Sequence, residues 1–70
     1  MELPGLRARR LAAVLTQEDL ARRAGVAEGT VVAAEQGKTV RISTVRKLAE
    51  ALGVTPQALL TGEAGQEKKS

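Results

Sequence analysis

The stretch Thr16–Gly37, TQEDLARRAGVAEGTVVAAEQG, has the spacing of two short helices joined by a tight turn. Thr16 is a good N-cap, and the acidic side chains that follow it lie beside the positive end of a helix dipole. Gly25 comes directly after the small and aliphatic positions of this first helix. Because glycine adopts left-handed backbone at little cost, we expect the first helix to stop there and a second to begin near Ala27.

The second helix has two faces of different composition. Val31, Ala34 and Glu35 lie on one side, which predicts that this side packs inward. The opposite side is small, nearly uncharged and partly apolar, and its members are Glu28, Gly29, Val32, Ala33 and Gln36. Since a solvated helix face is ordinarily polar and charged, this composition indicates a surface that contacts a partner.

Three further helices are predicted around this pair. The first covers residues 6–13, and the fourth covers 44–52 with Ser43 or Thr44 as its cap. A threonine followed by proline predicts a short fifth helix over 56–60. No strand pattern is present, so we expect an all-α fold.

The chain has 70 residues, which is enough for one domain. We place that domain at residues 6–61. Residues 1–5 contain a proline and a glycine and are expected to form a flexible arm. Residues 62–70 have almost no apolar content and are expected to form a disordered tail. A core of this size supplies only about 3–5 kcal/mol of stability.

Composition excludes several classes of function. The chain has no Cys and no His, which excludes a disulfide framework, a zinc site and catalysis by either side chain. No metal, no cofactor and no enzymatic activity is expected. The apolar stretches are too short to span a bilayer, so we expect a cytoplasmic protein with no membrane partner. The net charge of +3 suits a polyanionic partner but is too small to identify one.

In the order and spacing of these features the chain resembles the helix-turn-helix domain of the lambdoid phage repressor and Cro family, the Xre-type regulators. The resemblance covers about 6–60. The matching segments are Thr16-Gln17-Glu18, Leu20-Ala21, Ala24-Gly25-Val26, Val31, Glu35-Gln36-Gly37-Lys38, Leu48–Val54 and Leu59-Leu60. It implies a compact five-helix repressor-like domain whose helices 2 and 3 form the helix-turn-helix, with helix 3, at about 27–36, in the major groove of DNA.

The resemblance also implies roles for individual residues. Base reading is expected at Glu28, Gly29, Val32 and Ala33. Contacts with the DNA backbone are expected at Arg10, Thr16, Gln17, Thr30, Gln36, Lys38 and Arg41. Alternatives remain for several of these: Thr16 as a helix cap, Gln17 as an ordinary first-turn residue, and the residues after helix 3 as a solvated loop. Arg10 and Glu35 match a structural ion pair of the family, and Arg10 is expected to face a phosphate as well.

Three departures from the family pattern affect these expectations. Val14 stands in the link between helices 1 and 2 where relatives often have glycine, so the link is expected to differ in shape. Ala27 is a poor N-cap for helix 3, at a cost of about 1 kcal/mol. No Gln or Asn precedes Gln36 on the reading face, so direct readout of bases is expected to be sparse.

Regulators of this type bind as dimers, and the resemblance implies a palindromic operator bound by a weak homodimer or by a dimer formed on DNA. The expected dimer contacts are Ile42, Pro56, Ala58 and Leu59. A transcriptional repressor or other regulator is the favoured function. The alternative is a protein-interaction module, such as an antitoxin or adaptor, that uses the same surface for a protein.

Overall fold

The computed structural model describes residues 1–61, and within them the chain forms five helices and no strand. The helices are α1 Leu6–Ala12, α2 Gln17–Ala24, α3 Glu28–Glu35, α4 Ile42–Leu52 and α5 Pro56–Thr61. The expected all-α, five-helix architecture is therefore confirmed. The tail expected at 62–70 lies outside the described residues. In the described part of the chain no helix has the length and apolar character needed to cross a membrane.

The core lies between all five helices and contains only aliphatic side chains. Helix α2 packs against α3 and α4, α4 packs against α5, and α1 contacts α3 and α5. The fully buried large side chains are Leu3, Leu6, Leu20, Val31, Val45, Leu48 and Leu59. Apolar positions at helical spacing therefore meet at one centre, as expected for amphipathic helices.

A reciprocal capping box starts α2. The Thr16 hydroxyl oxygen accepts a hydrogen bond from the Asp19 N–H at 3.0 Å, and the Asp19 carboxylate accepts one from the Thr16 N–H at 3.1 Å. Both bonds to Thr16 lower the pKa of Asp19, and the bond from the Thr16 backbone has the larger effect. The box satisfies two N–H groups that a helix start would leave without intrahelical partners. Capping is thus the observed role of Thr16.

The turn after α2 has the geometry that the sequence predicts. Gly25 is the C-cap, with a left-handed φ of 74°. The Val26 N–H donates to the Ala21 carbonyl at 3.0 Å, which closes the end of the helix. Only three residues separate α2 from α3, and the two helices pack against each other.

The first residues are packed against the domain, contrary to the expected flexible arm at 1–5. Leu3 is 2% exposed and belongs to the core. The Gly5 N–H donates to the Leu59 carbonyl at 2.9 Å. Met1 and Val40 exchange two backbone hydrogen bonds of 2.7 Å each. The proline and glycine in this segment shape a turn into the core; they do not release it.

Helix α4 begins earlier than the sequence predicts. Its N-cap is Arg41, in extended backbone and without a side-chain cap bond, so neither Ser43 nor Thr44 caps it. Pairing of Val40 with Met1 keeps the chain extended up to that point. A tertiary contact therefore sets this boundary, and local capping chemistry does not.

Val14 adopts a left-handed φ of 57° between α1 and α2. Val14 does not avoid the positive φ, although a β-branched residue disfavours it, so this residue bears backbone strain. The expected difference from the link of relatives stays a prediction. Two contacts hold the link: the Leu15 N–H donates to the Arg10 carbonyl at 3.2 Å, and the Arg10 guanidinium donates to the Leu15 carbonyl at 2.8 Å. The Val14 side chain is 87% exposed and contributes little packing in return.

Replacing Val14 with glycine should stabilise the protein. Val14→Gly removes a backbone strain of about 1–3 kcal/mol and loses up to about 1 kcal/mol through the greater freedom of the unfolded chain. The expected net gain is about 1 kcal/mol in the free energy of unfolding, measured by urea denaturation followed by circular dichroism at the helix band. Ala13→Gly, one residue earlier with an ordinary φ of −87°, is the matched control and should destabilise. Equal loss of stability in both variants would contradict the strain.

Candidate nucleic-acid interface

Helix α3 has one buried face and one open face. Val31 and Ala34 are 0% and 1% exposed and fix the helix against the core. On the other side Glu28 and Gly29 are exposed, and Val32 and Ala33 are half-buried. The residues expected to read bases thus share one open surface, which is small and carries one charge.

The start of α3 lacks a side-chain cap. Ala27 is the N-cap residue, in extended backbone, and makes no side-chain cap bond. The expected lack of a side-chain cap is therefore observed, and the weak helix start stays a prediction. Thr30 is half-buried one turn into the helix, and its N–H donates to the Ala27 carbonyl at 3.0 Å. Free N–H groups of such a first turn favour an anionic partner.

A short cationic loop leaves the end of α3. Gln36 is the C-cap, and Gly37 continues with a left-handed φ of 91°. The Lys38 N–H bonds back to the Ala33 carbonyl at 3.1 Å, which fixes the turn. Gln36, Lys38 and Arg41 are exposed, as phosphate contacts require.

Arg10 and Glu35 form the predicted ion pair, and it is buried. The guanidinium donates from Nε to Glu35 Oε2 at 2.5 Å and from Nη2 to Oε1 at 3.0 Å. The two side chains are 10% and 6% exposed. A third bond, from Nη1 to the Leu15 carbonyl at 2.8 Å, satisfies another face of the cation. The hydrogen bond to Glu35 raises the pKa of Arg10 above its already high ordinary value.

Gln17 also bonds to Glu35, which the sequence did not indicate. Its amide nitrogen donates to Glu35 Oε1 at 3.0 Å. Burial alone would raise the pKa of the Glu35 carboxyl, but the hydrogen bonds from Arg10 and Gln17, with the charges of Arg10 and Arg7, outweigh it and lower that pKa. No local pattern could reveal this bond, because the two residues are 18 positions apart and lie on different helices.

Three of the expected contacts with a partner need correction. Arg10 is buried and its guanidinium serves the internal pair, so a phosphate contact by Arg10 is not supported. Ala58 and Leu59 are 3% and 0% exposed, so they pack inside the domain and cannot contact a second copy. Their helix α5 is short and packs against α4 and α1. Ile42, at 57% exposed, and Pro56 remain open.

A model of the helix-turn-helix family matches residues 6–59 of the chain. A search of curated proteins and a search of solved structures return no match. The matched range includes α2, α3 and the ion pair between Arg10 and Glu35.

The ion pair predicts a strongly non-additive mutational response. Glu35→Leu leaves the Arg10 cation buried without its countercharge, and Arg10→Met does the same to the Glu35 carboxylate; each change costs about 3–5 kcal/mol. The double variant Arg10→Met/Glu35→Leu removes both charges and should lose far less. Urea unfolding of the four proteins, each carrying Val14→Gly to extend the measurable range, gives the coupling free energy. Additive losses would mean that the two residues do not stabilise each other.

Acid should remove the contribution of Glu35. Its pKa is lowered in the folded state, so the unfolded state binds more protons in acid and stability rises with pH. The contribution is complete above the ordinary carboxyl pKa of about 4.3 and is lost as the pH falls through the lower, folded-state pKa. We therefore expect the free energy of unfolding of the native protein to fall relative to that of Arg10→Met/Glu35→Leu as the pH is lowered from about 5 to about 3. Asp19 titrates in both proteins and cancels, and parallel curves would contradict the assignment.

Proposed function

The chain belongs to the Cro/C1-type helix-turn-helix family of DNA-binding regulators, and from that premise we propose that it is a transcriptional repressor that inserts α3 into the major groove of an operator. One observation carries the proposal. Val31 and Ala34 bury one side of α3. The other side, on which Glu28 and Gly29 are exposed and Val32 and Ala33 are half-buried, is open to a groove. A single α-helix fits the major groove of B-form DNA.

Gly29 supports a close approach by a partner. Glycine in a helix costs up to about 1 kcal/mol relative to alanine, yet a Cβ atom at Gly29 would meet nothing within 4 Å, and φ there is not positive. Neither packing nor backbone conformation in this domain requires glycine at this position. A base edge or sugar approaching the backbone of α3 explains it.

Base recognition in this proposal is sparse. Glu28 accepts a hydrogen bond from a cytosine amino group, and Val32 and Ala33 contact thymine methyl groups. Thr30 and the local shape of the DNA contribute the remaining specificity.

Phosphate contacts position the domain. Gln17 begins α2, where N–H groups of the first turn and the helix dipole favour an anion. Lys38 and Arg41 supply charge from the loop after α3, and Gln36 supplies an amide. The Thr16 hydroxyl accepts the cap bond but retains its hydrogen for a phosphate oxygen.

The operator is expected to be palindromic. Ile42 and Pro56 are the exposed candidates for contact between two copies. Two such contacts give little buried area, so the dimer is weak and forms on DNA, on half-sites about one helical turn apart.

A protein-docking role, as an antitoxin or adaptor, is the second candidate. Val32 and Ala33 on the open face favour it, because they offer no hydrogen bond to a base. DNA binding that weakens strongly with salt would favour the repressor over the docking role, because contacts with phosphates release counterions.

Selection from a random duplex library at two salt concentrations tests the repressor proposal. A palindromic sequence should be enriched, and Glu28→Ala should relax preference at one base pair per half-site. Lys38→Ala should reduce the slope of log K against log salt by about 0.9 for each bound copy. Lys47→Ala removes the same charge from an exposed position on α4 and should leave that slope unchanged.

Retention of no duplex at low salt would rule out the DNA-binding role and favour the docking role. Equal slopes for the Lys38 and Lys47 variants would show that the loop after α3 does not lie on the DNA backbone.

A further inference from the structure

The carboxylate of Glu35 joins the two ends of the helix-turn-helix. Glu35 is the last residue of α3, and Gln17 is the first residue of α2. The Gln17 amide donates to Glu35 Oε1, and Arg10 donates to both carboxylate oxygens. No buried side-chain nitrogen or oxygen within the described residues lacks a partner, so this network is closed on its inner side.

Chemistry fixes which way the Gln17 amide points. A carboxylate only accepts hydrogen bonds, so the NH₂ group of Gln17 must face Glu35 and its carbonyl must face away. One of the two amide hydrogens is used by Glu35. The second hydrogen is not used by the bond to Glu35, and Gln17 is half-buried, so part of this residue reaches the surface.

Arg10 makes this arrangement compatible with DNA. An unpaired carboxylate beside the start of α2 would repel a phosphate and would weaken the attraction of the helix dipole. The guanidinium donates two hydrogen bonds to Glu35, and its charge cancels that of the carboxylate, so the pair has no net charge. Glu35 therefore holds Gln17 without adding an unpaired negative charge to the first turn of α2, where Glu18 and Asp19 already lie.

We propose that Glu35 is a positioning residue for DNA binding, which holds the Gln17 amide in place so that its second N–H donates to a backbone phosphate. This inference rests on the proposed function. Gln17 is ordered before DNA arrives, so its contact loses less conformational entropy on binding. Because Glu35 ends α3 and Gln17 begins α2, their bond aligns the phosphate-binding side chain with the helix that enters the groove.

Two matched double variants isolate the bond. Arg10→Met/Glu35→Gln and Arg10→Met/Glu35→Leu both remove the ion pair and leave the net charge unchanged. Only the first retains a side-chain oxygen at position 35 that accepts from Gln17. Gln17→Ala is then added to the native protein and to both double variants. All six proteins, including the reference that is native at positions 10, 17 and 35, carry Val14→Gly. Circular dichroism first establishes that each of them is folded.

Affinity for the selected operator is the readout. In the native protein Gln17→Ala should raise the Kd about fivefold for each bound copy, as expected for one hydrogen bond. The Kd of the Glu35→Leu double variant should also be about fivefold higher than that of the native protein for each bound copy. Adding Gln17→Ala to this variant should then change its Kd less than twofold. The Glu35→Gln double variant should retain most of the native affinity and the full effect of Gln17→Ala. The salt slope should stay constant throughout, because a neutral amide displaces no counterion.

An equal effect of Gln17→Ala in all three backgrounds would overturn the positioning role while the repressor proposal stands. Equal affinity of the two double variants would also overturn it, since a purely structural role depends on the ion pair that both have lost. Failure of the native protein to bind any duplex would overturn both proposals.

Discussion

The buried pair of Arg10 and Glu35 is the interaction on which the arrangement of the helices depends. It joins α1 to the end of α3, and its third donor holds the carbonyl of Leu15 in the link before α2. Charges with side chains 10% and 6% exposed are costly unless every donor and acceptor is used. The geometry that satisfies them is narrow, so the pair fixes relative positions that aliphatic contacts alone would leave adjustable.

Several local features oppose the fold, and the tertiary structure overcomes them. Val14 is held at positive φ by contacts with Arg10, although valine disfavours that region. Ala27 starts α3 without a side-chain cap, and the burial of Val31 holds the helix in its place. Such conflicts concentrate at functional sites, where the required geometry outweighs local preference. Here both conflicts lie next to the helices that form the candidate interface.

The open face of α3 and the loop after it have complementary chemistry. The helix offers small side chains and one carboxylate, whereas the loop offers Lys38 and Arg41. In the proposed complex the loop and α2 therefore supply most of the affinity, and α3 supplies shape and a few base contacts. The network at Glu35 connects the phosphate-binding start of α2 to the end of α3, the helix that contacts the bases.

The sequence by itself determined the five helices, the turn at Gly25, the inward side of α3 and the pairing of Arg10 with Glu35, because periodicity, glycine and family spacing are local or recurrent signals. Tertiary structure alone decided the packing of the first five residues, the early start of α4, the burial of Ala58 and Leu59 and the bond between Gln17 and Glu35. Each of these depends on contacts between residues far apart in the chain. Their geometry exists only once the core has formed, so no pattern within one helix encodes it.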